Sequence, residues 1–208
     1  MSFDKIHPSR NIWAMLAVSI AGSILIVQKP DGWFTDVWET WFPKVKGKYY
    51  ALMEYLGDKY KLGPAYLLCS THPKLPFMAS TVNLGPQTVT LPHYDAKNLA
   101  TGLCGIMPFG SFDSSKGGHL GLHEPRVVLE LAPGLVVPMP SAVIQHSNLP
   151  VVEGTRYSIT TYTAGQLFAW MESGGPLKSL SPDAKDAYFK EGPERWETGW
   201  SQYPGVVA

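Results

Sequence analysis

The chain has 208 residues, 45% of them apolar and 16% charged, which places it among folded globular proteins long enough to bury one sizeable core. Seventeen Lys and Arg balance seventeen Asp and Glu, so no overall field draws it to nucleic acid or acidic lipid. Its two cysteines, Cys69 and Cys104, lack CxxC spacing and fit free thiols in a reducing interior better than a disulfide framework, with a single bridge as the alternative.

The first element is Ile12 to Val27, sixteen residues without a charge, preceded by Lys5 and Arg10. It is short of the ~20 apolar residues a membrane span needs. Gln28-Lys29-Pro30 makes a poor signal-peptide cleavage site. A buried element covering the main sheet is the favoured expectation, with a signal anchor as the alternative and no stable membrane partner expected. From Gly32 to Leu62 the chain turns aromatic, with Trp33, Phe34, Trp38, Trp41, Phe42, Tyr49, Tyr50, Leu52, Met53, Leu56 and Tyr60. Spacings of three and four predict helices burying one stripe, with Pro43 and Gly47 as punctuation. Lys44, Lys46, Lys48, Lys59 and Lys61 interleave with the tyrosines and form the only locally basic region. Solvated lysines over a buried stripe is the favoured reading, and a nucleic-acid contact the second.

After Gly63 the pattern changes to short β-rich runs separated by turn residues. Ser80–Asn83, Thr88–Leu91, Gly102–Met107, His119–Leu122, Arg126–Leu131, Val136–Met139, Ala142–His146 and Arg156–Tyr162 are predicted strands. Eight such strands predict a double-sheet jelly roll or a barrel with one open mouth. The residues from Leu177 onward predict a helix plus irregular packing. The expected organisation is one structural domain in three parts: a helical support over 1–62, a β core over 63–175 and a C-terminal helix and tail over 176–208.

The chemistry is carried by His93-Tyr94-Asp95, His146, and Arg156-Tyr157-Ser158. On a strand, side chains at i and i+2 share a face, which brings the His93 imidazole and the Asp95 carboxylate together and sends Tyr94 to the core or the rim. His146 completes a two-histidine, one-carboxylate set that leaves coordination positions open, as a non-haem Fe(II) oxygenase requires. Arg156 lies ten positions after His146, so one continuous strand would point both to the same side. Its guanidinium can clamp a carboxylate through paired hydrogen bonds, supported by Ser158 Oγ. Together these residues point to iron and 2-oxoglutarate.

The run from Asn83 through His93-Tyr-Asp95 to Asn98 resembles the HxDxxN region of fungal, basidiomycete-type TET/JBP-like oxygenases. The similarity continues in order through Gly117-Gly-His119, Pro140-Ser-Ala142, His146-Ser-Asn148, Arg156-Tyr-Ser158 and Gly165-Gln-Leu-Phe168-Ala-Trp170, over roughly residues 80 to 172. The resemblance implies an α+β protein with a double-stranded β-helix core and N-terminal helices packed on one sheet. It implies Fe(II), 2-oxoglutarate and O2, with iron on His93, Asp95 and His146 and 2-oxoglutarate on Arg156, Ser158 and Asn83. Asn98, Tyr94 and His119 are expected near the substrate or behind the ligands. Two departures, Tyr94 and Ala169 where many members of the family carry arginine, lower the local positive charge.

Three functions follow as expectations. The first, by family analogy, is oxidation of a modified DNA base such as 5-methylcytosine, which requires the base to be flipped out of the duplex. Oxidation of a small molecule or protein side chain is favoured by the neutral charge and the missing arginines. A catalytically silent binding module is the third. The expected location is intracellular, and nuclear if DNA is the substrate.

Overall fold

The structure is a computed structural model that describes residues 39–61 and 77–204. The apolar run at 12–27, the aromatics Trp33, Phe34 and Trp38, and Cys69 lie outside the described residues.

Pro43 opens helix α1 (Pro43–Tyr60) at a position where its missing N–H costs nothing. Gly47, expected as a break, lies inside α1, where the continuing stripe overrides one unfavourable residue. That stripe is Val45, Tyr49, Leu52, Met53 and Leu56, all buried, with the three- and four-residue spacing of an amphipathic helix. All of it but Met53 packs with Phe77, Leu103 and Phe168 into one apolar cluster. Tyr49 hydroxyl donates to Leu103 carbonyl at 2.9 Å and accepts from Leu103 N–H at 3.0 Å. The phenol's burial is thereby compensated, and that burial drives its pKa far above the ordinary tyrosine value.

Eight strands follow: β1 (Ala79–Asn83), β2 (Thr90–His93), β3 (Cys104–Phe112), β4 (Leu120–Leu122), β5 (Val127–Leu129), β6 (Val137–Met139), β7 (His146–Asn148) and β8 (Gly154–Tyr162). They form two four-stranded antiparallel sheets, ordered β1-β8-β3-β6 and β2-β7-β4-β5. Apart from the β4–β5 hairpin, successive strands pass from one sheet to the other in a jelly-roll-like arrangement. Cys104, Ile106, Leu120, Leu131 and Met139 form a buried apolar cluster within the β core.

Beyond small shifts at strand ends, one predicted strand is displaced, and the continuous-strand geometry considered for His146 and Arg156 does not occur. The run Ala142–Ile144 is a turn, because the Pro140 carbonyl accepts the amides of Val143 and Ile144; the strand begins at His146 where it was expected to end. His146 and Arg156 also occupy different strands in different sheets, β7 and β8, separated by Pro150 and by Gly154 at φ +93°. After β8 come α2 (Gly165–Glu172), a 3-10 turn (Leu177–Ser179), α3 (Pro182–Lys190) and α4 (Gly192–Trp200). The tail is therefore two helices, not one. Ser181 caps α3 by accepting from Ala184 N–H at 3.3 Å. Among the described residues no helix is long and apolar enough to cross a membrane.

Candidate metal centre and its cavity

A cavity of about 680 Å³ lies between the two sheets, lined from one side by β1 and β8 and from the other by β2 and β7. Its placement follows from alternation along the strands. Arg156, Ser158, Thr160 and Tyr162 of β8 all line it, as do His146 and Asn148 of β7, each two residues from the next.

His93 and His146 are paired across β2 and β7, while two residues further along β7 Asn148 pairs with Thr90. Three residues of β2 thus span two of β7, and the register shifts between them. Such a bulge re-aims side chains, and Pro92 is tolerated within it because β2 is an edge strand. The bulge sets the two imidazoles with ring centroids 4.3 Å apart. Asp95 lies past the end of β2, so the expected strand geometry does not place it. A turn does: its N–H donates to Ser141 carbonyl at 2.9 Å and its own carbonyl accepts from Asn98 N–H at 2.9 Å.

One ligand atom each from His93, Asp95 and His146 falls within 4.8 Å of the others. Asp95 Oδ1 is 3.6 Å from His93 Nε2 and Oδ2 is 3.8 Å from His146 Nε2. The far nitrogens explain the orientation. His93 Nδ1 is 2.7 Å from Leu91 carbonyl and His146 Nδ1 is 2.9 Å from Ile144 carbonyl. A carbonyl only accepts, so each Nδ1 carries a hydrogen, and each Nε2 is the nitrogen turned toward the carboxylate, as in metal-ligating histidines. Burial pulls the His146 pKa below the ordinary imidazole value, which favours the neutral form that ligates. Asn98 Nδ2 donates to Ser141 Oγ at 3.1 Å and lies 3.5 Å from Asp95 Oδ2, behind the carboxylate.

Arg156 lines the same cavity beside Thr88 and Asn148, with 1% of its surface exposed. The loop between β1 and β2 grips its backbone: Arg156 N–H donates to Pro86 carbonyl, and its carbonyl accepts from Thr88 N–H at 3.1 Å. Gly85 permits this approach, since a Cβ there would meet Arg156 carbonyl oxygen at 2.6 Å. Nη1 donates to Thr88 carbonyl at 3.1 Å. Nε is buried without a partner, and among the described residues no carboxylate lies in ion-pair range of the group. Burial lowers its pKa. Beside it, Asn83 Nδ2 donates to Ser158 Oγ at 3.0 Å across the β1–β8 pair.

The structure thus gathers His93, Asp95, His146, Asn98, Arg156, Ser158, Asn83 and Tyr94 around one cavity. His119 is not among the lining residues; it immediately precedes β4, whose first residue, Leu120, is. Tyr94 sits at the rim, 46% exposed, its hydroxyl donating to Glu124 Oε1. That bond raises the phenol's pKa and lowers the carboxyl's. Thr90 and Asn148 line the cavity without having been expected there. Thr90 Oγ1 donates to Asn148 Oδ1 at 2.6 Å, and Asn148 Nδ2 donates at 2.7 Å to the Thr88 carbonyl that also receives Arg156. Asn148 shares a strand face with His146, so period-two spacing pointed to it; the Thr88 carbonyl left no trace in the sequence.

No protein-family model matches the chain, and no curated protein matches it. Among solved structures it is similar to NgTET1 in complex with 5mC DNA, at 15% identity and a TM-score of 0.41, over 67% of this chain. The match spans 53% of that protein, about half its length.

Proposed function

We propose that the chain is an Fe(II)- and 2-oxoglutarate-dependent dioxygenase with a double-stranded β-helix core, which oxidises a C–H bond of a modified nucleobase such as 5-methylcytosine in DNA. One observation carries the reaction class. Two imidazole Nε2 atoms and a carboxylate converge on a cavity that is also lined by a buried guanidinium, which among the described residues has no carboxylate partner. The donor set fits iron: two neutral imidazoles and one carboxylate make a facial set with open positions. The orphaned Nε of Arg156 fits an anionic co-substrate. The nucleobase substrate rests on the HxDxxN-type resemblance over residues 80–172.

In this reading His93, Asp95 and His146 hold the metal, and their anchors at Leu91, Ile144 and Ser141 keep the donors aimed before it arrives. Arg156, set by Thr88 and Asn148, fixes the distal carboxylate of 2-oxoglutarate, with Ser158 and Asn83 beside it. When bound, Fe(II) with 2-oxoglutarate and O2 supplies the oxidant for the C–H bond, with succinate and CO2 as co-products. The surrounding strands contribute position and water exclusion. An intracellular location, nuclear for a DNA substrate, belongs to this proposal.

A second reading, oxidation of a small molecule or protein side chain, is favoured by the basic region. Lys46 pairs with Glu39 and Lys48 with Glu172 at 3.0 Å, while Lys59 donates to Tyr55 hydroxyl at 2.6 Å and Gly174 carbonyl at 2.7 Å. Lysines so engaged are less free for phosphates. The test is succinate release from 2-oxoglutarate under Fe(II) and O2, with a methylcytosine duplex as substrate and Asp95→Ala as control. Succinate from the wild type and none from the variant is expected; equal output from both overturns the iron assignment. Duplex affinity that falls steeply with salt supports DNA, and a weak, salt-independent response supports the second reading.

A further inference from the structure

Glu124 lies in the turn between β4 and β5, outside every motif quoted above, yet it touches both segments that carry the metal donors. Its Oε1 accepts from the hydroxyl of Tyr94, the residue between His93 and Asp95. Its Oε2 accepts from the backbone N–H of Gln145, the residue before His146, at 2.8 Å. The turn that presents Glu124 is itself fastened to the same place: His123 N–H donates to Gln145 carbonyl at 2.9 Å, and Arg126 N–H to His123 carbonyl at 3.2 Å. His123 Nε2 and Ser147 Oγ lie 3.0 Å apart on the other side of His146. One carboxylate therefore spans the β2 end and the β7 start, where the ladder is weakest: the β2–β7 register slips through a bulge, and Asp95 lies beyond the last paired residue.

We propose that Glu124 is a positioning residue for the three-ligand centre, bracing the His93–Asp95 segment against His146 through Tyr94 and the Gln145 amide. The inference rests on the reading of His93, Asp95 and His146 as metal ligands. It assigns Tyr94 a role that its outward direction on a regular strand would deny it. The phenol is the arm of the brace, with its ring at the cavity rim and its oxygen committed to Glu124. Removing the carboxylate leaves the three donors present but their relative placement looser. The effect is lower metal affinity without loss of any ligand, of the kind seen when groups behind metal ligands are removed.

The experiment titrates Co(II), an oxygen-insensitive probe with visible d–d bands, into the metal-free full chain. Wild type, Asp95→Ala, Glu124→Ala, Tyr94→Phe and Glu124→Gln are compared, each with a thermal melt. Asp95→Ala is expected to lose the bands. Glu124→Ala is expected to weaken Co(II) binding about tenfold and broaden the bands, and Tyr94→Phe to reproduce part of that loss. The two changes together are expected to cost no more than Glu124→Ala alone, since both cut one brace. Glu124→Gln restores affinity, because its amide oxygen accepts from Gln145 N–H and its amide N–H donates to Tyr94 oxygen. If Glu124→Ala and Tyr94→Phe bind Co(II) like the wild type while Asp95→Ala does not, the brace is refuted and the metal centre stands. If the wild type itself gives no bands, the metal reading fails. A weakened Glu124→Ala that melts several degrees lower and is not restored by glutamine reflects general unfolding, and also overturns the brace.

Discussion

Arg156→Met separates a residue kept for folding from one kept for a guest. The wild-type guanidinium is 1% exposed, makes one hydrogen bond through Nη1, and leaves Nε without a partner. Replacing a buried ion pair by apolar groups of similar volume is often neutral or stabilising by ~1–4 kcal/mol, and a buried cation without a carboxylate partner forgoes even the pair's attraction. Against this stands the lost bond to Thr88 carbonyl, worth about 1 kcal/mol. That loss is softened because the same oxygen keeps its 2.7 Å bond from Asn148 Nδ2. The net expectation is a gain of roughly 1 kcal/mol in the unliganded protein, a Tm rise of about 2–4 °C for a chain of this size. With 2-oxoglutarate the order reverses. At a ligand concentration about 100 times Kd the wild type gains ~2.7 kcal/mol, a rise of roughly 5–10 °C, and the variant gains almost none. Melts with Mn(II) under nitrogen, with and without 2-oxoglutarate, read both effects at once. A variant that melts lower without 2-oxoglutarate and responds to it as the wild type does would refute Arg156 as the co-substrate's cation.

Asn148→Ala removes one of the two donors on the Thr88 carbonyl and should raise KM for 2-oxoglutarate about 2- to 10-fold. The change in kcat should be smaller, as steady-state succinate kinetics would show. Burial pushes the Cys104 thiol up to about 12, so at pH 8 only about one in 10,000 is thiolate, against about one in four for an ordinary thiol. Peptide mapping after iodoacetamide at pH 8 should find Cys104 unmodified in folded protein and modified in urea. The sign also fixes a stability trend: the unfolded chain releases this proton first, so stability falls as pH rises from the ordinary thiol range toward 12. Gly154→Ala puts a Cβ 2.0 Å from Ser111 carbonyl oxygen at φ +93°, and should cost more than ~2 kcal/mol, or at least ~4 °C in Tm.

Alternation was the most legible feature of this sequence. Seven of the eight strands lie where β-branched residues and turn residues placed them, differing mainly at their ends. The exception, Ala142–His146, misled because Ala-Val-Ile has strand composition, while Pro140 offers its carbonyl to two following amides and closes a turn. Composition cannot report such a hydrogen bond, since its acceptor is backbone. The three candidate ligands were legible through residue type, although the geometry that unites them was not. His93 and Asp95 were expected to meet through strand period, but β2 stops at His93 and a turn carries Asp95 back. His146 and Arg156 fall on two predicted strands, and the even offset that would align them on one continuous strand plays no part; they meet because β7 and β8 belong to opposing sheets that face one cavity. Glu124 had no local signal, because both its partners are distant in sequence and one is an amide common to every residue.

Two local arrangements in the cavity each oppose the stability of the protein alone. His93 and His146 spend their Nδ1–H groups on nearby carbonyls and turn Nε2 toward a carboxylate. Lone pairs facing an anion repel it unless a proton or a cation stands between them, and burial resists the proton on His146. Arg156 is likewise a buried cation with no described carboxylate in range. Folding alone would favour an apolar residue there. A metal relieves the first cost and an anion the second, and a molecule whose 2-oxo acid end chelates and whose far end is a carboxylate relieves both at once. The two unmet demands open onto the same cavity, which joins them into one site.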